Sequence, residues 1–216
     1  MSSSSPPAPS GLPVHRIEAL SDGVFAIAMT LLVLELHVPE LVDGAEGGLG
    51  RALLHMWPKL VSFALGFVLL GSFWVGQHYQ LHYVRRTDRA LLWLNLGLLL
   101  VCSLVPFGVA LLGHYWANPV VCAVYGGLLV SAGGCLYATW SYATTNHRLV
   151  APSLPAATIG ALRGRIALGL LGYGLGLALS FVAPLASIVV YGLMPLLYLL
   201  PGRIDRHVKS AGEPTP

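Results

Sequence analysis

Between Asp22 and Glu35 the chain runs through twelve uncharged residues, GVFAIAMTLLVL, and both ends of that run are acidic. As a helix, twelve residues reach about 18 Å, whereas the hydrocarbon core of a bilayer is about 30 Å thick. Either this segment does not span, or its charged ends sit near membrane depth and face protein or water. Ionisable groups at such depth are costly and mark a pathway or a polar network. The residues just before the run, Arg16-Ile-Glu-Ala-Leu20-Ser21-Asp22, add two further charges, Arg16 and Glu18, and a hydroxyl to the same end.

Composition narrows the choice. Only 10% of the 216 residues are charged and 56% are hydrophobic, against about 25% charged in a soluble domain. An all-α integral membrane protein follows. Six apolar segments lie near 15–38, 54–80, 87–112, 117–143, 162–182 and 184–201, the fourth interrupted by Gly126-Gly127 and Gly133-Gly134. They form one membrane domain over 14–203. A Ser/Pro-rich N-terminal tail, 1–13, is expected to be disordered, and 204–216 form a C-terminal tail. The first segment is expected to be a retained helix and not a cleaved signal peptide: Glu18 and Asp22 stand where a basic region belongs, and no small-residue cleavage site follows.

Basic residues set the orientation. With both termini cytoplasmic, the inner segments hold ten of the twelve Lys and Arg, and the outer ones only Arg51 and Lys59. This bias follows the positive-inside rule and requires an even number of crossings. Trp57, Trp93 and Trp116 fall near helix ends, where an aromatic belt lies. The basic residues are scattered and form no stripe for a phosphate backbone, so nucleic acid is excluded as a partner. Cys102, Cys122 and Cys135 lie in apolar segments without CxxC spacing and read as small packing residues.

Glycines punctuate segments two, four and five; Gly66, Gly71 and Gly76 recur in one, and Gly172 and Gly176 make a GxxxG step in another. Close helix packing within one subunit accounts for them better than a dimer motif. Pro106, Pro184 and Pro195 mark kinks or segment ends, and segments five and six form a tight hairpin. No internal repeat is visible. A single six-helix unit whose first helix lines a central pore must therefore oligomerise, most simply with cyclic symmetry.

Two constellations stand out. Ile27, Leu31 and Leu34 share one helix face at i, i+4 and i+7, with Thr30 beside them. Such a stripe is ordinarily packing; the charged ends of the helix argue that part of it meets water. Elsewhere, Trp74 and His78 form an i, i+4 pair on the cytoplasmic side, where Arg16, Ser21 and Asp22 also lie. These residues suit one buried polar network, with a structural role ahead of a proton relay. Arg16 and Asp22, six residues apart, touch only if the helix start is irregular or the pair bridges subunits. His78 and His82 have the spacing of a metal pair but lack a third ligand, so no metal is expected. Intramembrane aspartyl catalysis needs a second embedded carboxylate, which the sequence does not supply, so the chain is not read as an enzyme.

Arg16-xxx-Leu20-Ser21-Asp22 resembles the Arg-xxx-Phe-Ser-Asp signature of the transmembrane-protein-175 family of potassium channels in its prokaryotic form, with Leu20 in place of Phe. Phe73-Trp74 with His78 resembles the family's Phe-Trp-x-x-His pattern, and Asp88-Arg-Ala-Leu-Leu-Trp93-Leu-Asn95 with Leu104-Val-Pro106-Phe107 its third helix. The last three helices match only in hydropathy. The resemblance implies a homotetramer in the cell membrane, with the first helix lining the pore. It implies a narrowest ring at Ile27, further rings at Leu31 and Leu34, and a selectivity role for Thr30. It also implies a network of Arg16, Ser21, Asp22, Trp74 and His78. Vertebrate members carry two such repeats per chain; this chain has one.

Apolar rings gate by dewetting, without a carbonyl filter. K⁺ sheds water more easily than Na⁺, so an aliphatic neck is expected to prefer K⁺ weakly, with K⁺ the permeant ion and no cofactor. A proton-coupled carrier using Asp22 and His78 and a non-conducting scaffold are the competing readings.

Overall fold

The computed structural model describes residues 13–39 and 48–199; most of the N-terminal tail and all of the C-terminal tail lie outside them. The described chain is helical: α1 (Val14–Leu31), continued by a 3₁₀ turn (Leu32–Glu35), α2 (Gly48–His55), α3 (Trp57–Tyr83), α4 (Arg89–His114), α5 (Pro119–Thr144), α6 (Ala156–Leu179) and α7 (Pro184–Leu199). Among the described residues five helical spans are long and apolar enough to cross a membrane: Val14–Glu35, Trp57–Tyr83, Arg89–His114, Pro119–His147 and Ala156–Leu179. The sixth expected segment is a helix too, but a short one. The 16 residues of α7 reach about 24 Å at 1.5 Å per residue.

Local chemistry sets the boundaries. Asp88 caps α4, its Oδ1 accepting the Leu91 N–H at 2.9 Å. Asn118 caps α5 by accepting from Val120 and Val121, and Pro119 occupies the first turn, where its missing N–H is harmless. Pro106 and Pro195 lie inside α4 and α7 rather than ending them. The paired glycines do not interrupt α5, which is one helix from Pro119 to Thr144. In an apolar bundle a glycine's flexibility is outweighed by the close approach it permits.

That approach is visible at Tyr191 of α7, which is fully buried. A Cβ on Gly126 of α5 would collide with its hydroxyl, and one on Gly176 of α6 with its ring. A Cβ on Gly172 would meet Met194. The GxxxG step therefore packs α6 on α7 of the same chain. Gly126→Ala is expected to destabilise the protein by about 1–3 kcal/mol through overpacking. Gly127→Ala, whose Cβ would meet nothing within 4 Å, serves as the neutral control in thermal unfolding in detergent.

Helix α5 packs against α4 and α6, α7 packs chiefly on α6, and α1 lies against α3 and α4. Trp140, Tyr125, Tyr173, Phe25, Leu69 and Leu98 fill the centre. At the bundle end holding the α1 N-terminus, the α3–α4 and α5–α6 loops are fastened together. Val84 and Val150 form an isolated antiparallel bridge, the Arg85 N–H donates to Leu149 O at 2.8 Å, and the Tyr142 hydroxyl donates to Asp88 Oδ2 at 2.6 Å.

Desolvation pushes the Asp88 carboxyl up, but the Tyr142 hydroxyl, the Leu91 and Ala90 N–H groups and the Arg148 charge outweigh it. They hold the carboxyl below its ordinary value of 3.8. A depressed native pKa means that the ionised form stabilises the fold above the ordinary value and that this contribution disappears as pH falls through the native one. The thermal midpoint in detergent should fall with acidification through that range. Asp88→Asn, which still caps the helix, should flatten the acid-side slope.

Candidate functional site: the α1 face and its polar supports

Helix α1 and the 3₁₀ turn that continues it have two unlike faces. Ile17, Ser21, Phe25, Ala28 and Leu32 are buried in the bundle at steps of three and four. Turned away from it are Leu20, Ile27, Leu31 and Leu34, exposed by 50, 60, 44 and 65%, with Asp22, Gly23, Ala26 and Thr30 also exposed. The stripe picked out by spacing is thus the face that the subunit itself leaves open. Thr30 turns its hydroxyl back onto the helix, donating to Ala26 O and Ile27 O, each at 2.9 Å.

The expected single network resolves into two groups. The inner one is buried and joins three helices. Ser21 Oγ donates to Ile17 O at 2.8 Å and accepts from Gln77 Nε2 at 2.9 Å and Asn95 Nδ2 at 3.2 Å. The Gln77 amide also donates to Asn95 Oδ1. One donor and two acceptor positions fill a hydroxyl's capacity, so Ser21 is fully satisfied within the apolar interior. The network expected from the sequence joined Ser21 to Arg16, Asp22, Trp74 and His78; its partners in the structure are Ile17, Gln77 and Asn95.

The outer group lies on the exposed side. Trp74 Nε1 donates to Asp22 Oδ1 at 2.7 Å, and the Trp74 ring leans over His78 with centroids 5.7 Å apart. Asp22 and His78 are both exposed, so Trp74 bridges them sideways rather than burying them. Arg16 is exposed as well. Helix α1 is regular from Val14, so the irregular helix start that would bring Arg16 to Asp22 within one chain does not occur. Glu35, at the far end of α1, lines a small cavity with Lys59, Ser62, Gly113 and His114.

The chain that carries this helix is similar to known proteins. The sequence model described as endosomal/lysosomal potassium channel TMEM175 matches residues 16–106. A potassium channel of Streptomyces collinus is 41% identical over 187 residues, spanning 85% of this chain and 90% of that protein. This chain belongs to the TMEM175 family. The crystal structure of a lysosomal potassium-selective channel TMEM175 homolog from Chamaesiphon minutus superposes with a TM-score of 0.77 at 33% identity, covering 87% of this chain and 96% of that one. The human endosomal/lysosomal proton channel TMEM175 is 37% identical over 87 residues, which are 38% of this chain and 17% of that protein. The TMEM175 channel fold therefore holds over nearly the whole chain, and the kinship extends to members named for two different ions.

Proposed function

We propose that this TMEM175 relative is a potassium-preferring, weakly selective cation channel of the cell membrane. It works as a homotetramer of six-helix subunits with cytoplasmic termini, and α1 of each subunit lines the pore. The open face of α1 carries this reading. Ile27, Leu31 and Leu34 lie outward while the opposite face is locked into the bundle, so four copies placed around an axis would present three successive aliphatic rings. Ile27 is assigned the narrowest ring, and Leu31 and Leu34 the rings toward the other mouth. Thr30 tunes selectivity by placing a hydroxyl between them.

Permeation then needs no cofactor and no bond chemistry. Ions shed part of their hydration to pass an apolar neck, and the more weakly hydrated K⁺ does so at smaller cost. The neck empties of water when it narrows, which closes the pore. Asp22, held by Trp74, places a carboxylate at the cytoplasmic mouth, and in the tetramer an exposed Arg16 would pair with it from an adjacent subunit. Trp74→Phe removes the indole donor from an exposed site, so its effect on stability should stay below about 1 kcal/mol. Its unitary current should nevertheless fall severalfold in bilayer recordings as the Asp22 carboxylate loses its anchor.

A proton-conducting or proton-coupled carrier is the second reading, favoured by the exposed Asp22–Trp74–His78 line and by the human relative's name. Reversal potentials in planar bilayers under opposed K⁺ and Na⁺ gradients separate the two. Unitary currents reversing toward the K⁺ potential support the channel. Flux without unitary events that follows the pH gradient supports the carrier.

A further inference from the structure

Four exposed arginines from two separate loops meet at the bundle end that holds the start of α1. Arg85 and Arg86 stand in the α3–α4 loop, Arg89 opens α4, and Arg148 lies in the α5–α6 loop. Backbone contacts gather them. Val84 pairs with Val150, and the Arg85 and Arg86 N–H groups both donate to Leu149 O, at 2.8 and 3.4 Å. Continuing that antiparallel register sets Arg86 across from Arg148. We propose that this cluster binds the headgroup phosphate of an anionic membrane phospholipid.

Three observations select that ligand. The first is charge. A positive-inside bias only distributes cations among loops, whereas here the fold draws them from two loops to one place, and like charges set opposite each other on paired strands repel. The two loops contain a single acid, Asp88, and its oxygens already accept from the Leu91 N–H and the Tyr142 hydroxyl. An anion from outside the chain is what the cluster lacks. The second is shape. Arg148 is held over the Tyr142 ring, 4.6 Å from its centroid, and guanidinium forks bind phosphate oxygens two at a time.

The third observation is depth. The cluster lies where two candidate membrane spans, α3 and α4, end and begin. Trp93, one turn into α4 from Arg89, is 64% exposed. An indole exposed at the end of a span marks the headgroup level, so the guanidiniums stand beside lipid phosphates rather than out in free solution. Cations just outside a span attract anionic lipid in this way. The inference needs only that the chain spans a membrane and does not rest on the conduction reading.

Native mass spectrometry of the intact oligomer, extracted in mild detergent from bilayers of equal phosphatidylglycerol and phosphatidylcholine, tests this. The wild type should retain phosphatidylglycerol severalfold over phosphatidylcholine. The double variant Arg85→Gln, Arg86→Gln keeps the backbone bonds to Leu149 and should lose that preference at unchanged oligomeric mass. Arg148→Gln should lower it in the same direction, and Lys59→Gln, at the opposite end of the bundle, should keep it. A wild type without the preference, or a double variant that retains it, would overturn the proposal. So would a lipid-free wild type whose oligomer dissociates in the double variant, because the missing anion would then be a neighbouring subunit's carboxylate. A thermal midpoint raised as much by inorganic phosphate as by phosphatidylglycerol micelles would overturn the membrane source of the phosphate.

Discussion

Ile27→Asn is expected to raise unitary current several-fold and to bring the K⁺/Na⁺ permeability ratio close to one. The reasoning is electrostatic and geometric together. An ion in an aliphatic ring loses part of its hydration and receives nothing back, so the ring proposed at Ile27 would be the main barrier. The carboxamide of Asn offers one acceptor and two donor hydrogens, which keep water in the neck and replace part of the lost shell. The dewetted closed state should become rarer for the same reason. Ile27 is 60% exposed in the subunit, so the substitution removes no core packing and should leave the thermal midpoint nearly unchanged. Bilayer recordings under opposed K⁺ and Na⁺ gradients read both effects. If conductance and reversal potential stay as in the wild type, Ile27 is not the constriction and the barrier must be sought at Leu31 or Leu34.

Much of the helical order was legible because the signals are local. Apolar length gave the long spans, whereas the exact starts of α4 and α5 are set by the Asp88 and Asn118 caps seen in the structure. Helix α2 escaped notice: eight residues in a Gly-rich loop carry no long apolar run, and none of them is buried. The paired glycines of α5 looked like breaks because propensity was weighed without the Tyr191 ring that needs Gly126 small.

The site divides in the same way. The Ile27, Leu31, Leu34 stripe and the Trp74–His78 pair were readable from helical spacing, since each lies on one helix. The partners of Ser21 were not, because a contact among three helices has no spacing in the sequence. A signal did exist. Gln77 shares the buried α3 face with Leu70, Phe73 and Leu81, and Asn95 is the lone amide in an otherwise apolar stretch of α4. Polar side chains at such positions must find each other.

That mutual dependence makes Asn95→Leu the more destructive substitution. Leu has the same branched four-atom side-chain skeleton as Asn and suits the apolar surroundings, so packing alone predicts a mild effect. Hydrogen bonding predicts otherwise. Asn95 donates to Ser21 and accepts from Gln77, and all three residues are at least 97% buried. Leu leaves a Gln77 N–H and a Ser21 lone pair without that partner where water does not reach. Each buried unsatisfied group costs about 1–3 kcal/mol, so roughly 2–6 kcal/mol should be lost, a large fraction of the stability of a marginally stable fold. The thermal midpoint in detergent should drop steeply, and α1 should loosen from α3 and α4, raising labelling of a Cys placed at Phe25. The triple variant Ser21→Ala, Gln77→Leu, Asn95→Leu removes every polar member at once. It should recover much of the loss, because an apolar cluster of similar shape leaves nothing unpaired. If the triple variant is no more stable than Asn95→Leu alone, the penalty comes from packing, and the three-helix hydrogen-bond cluster is not what anchors α1.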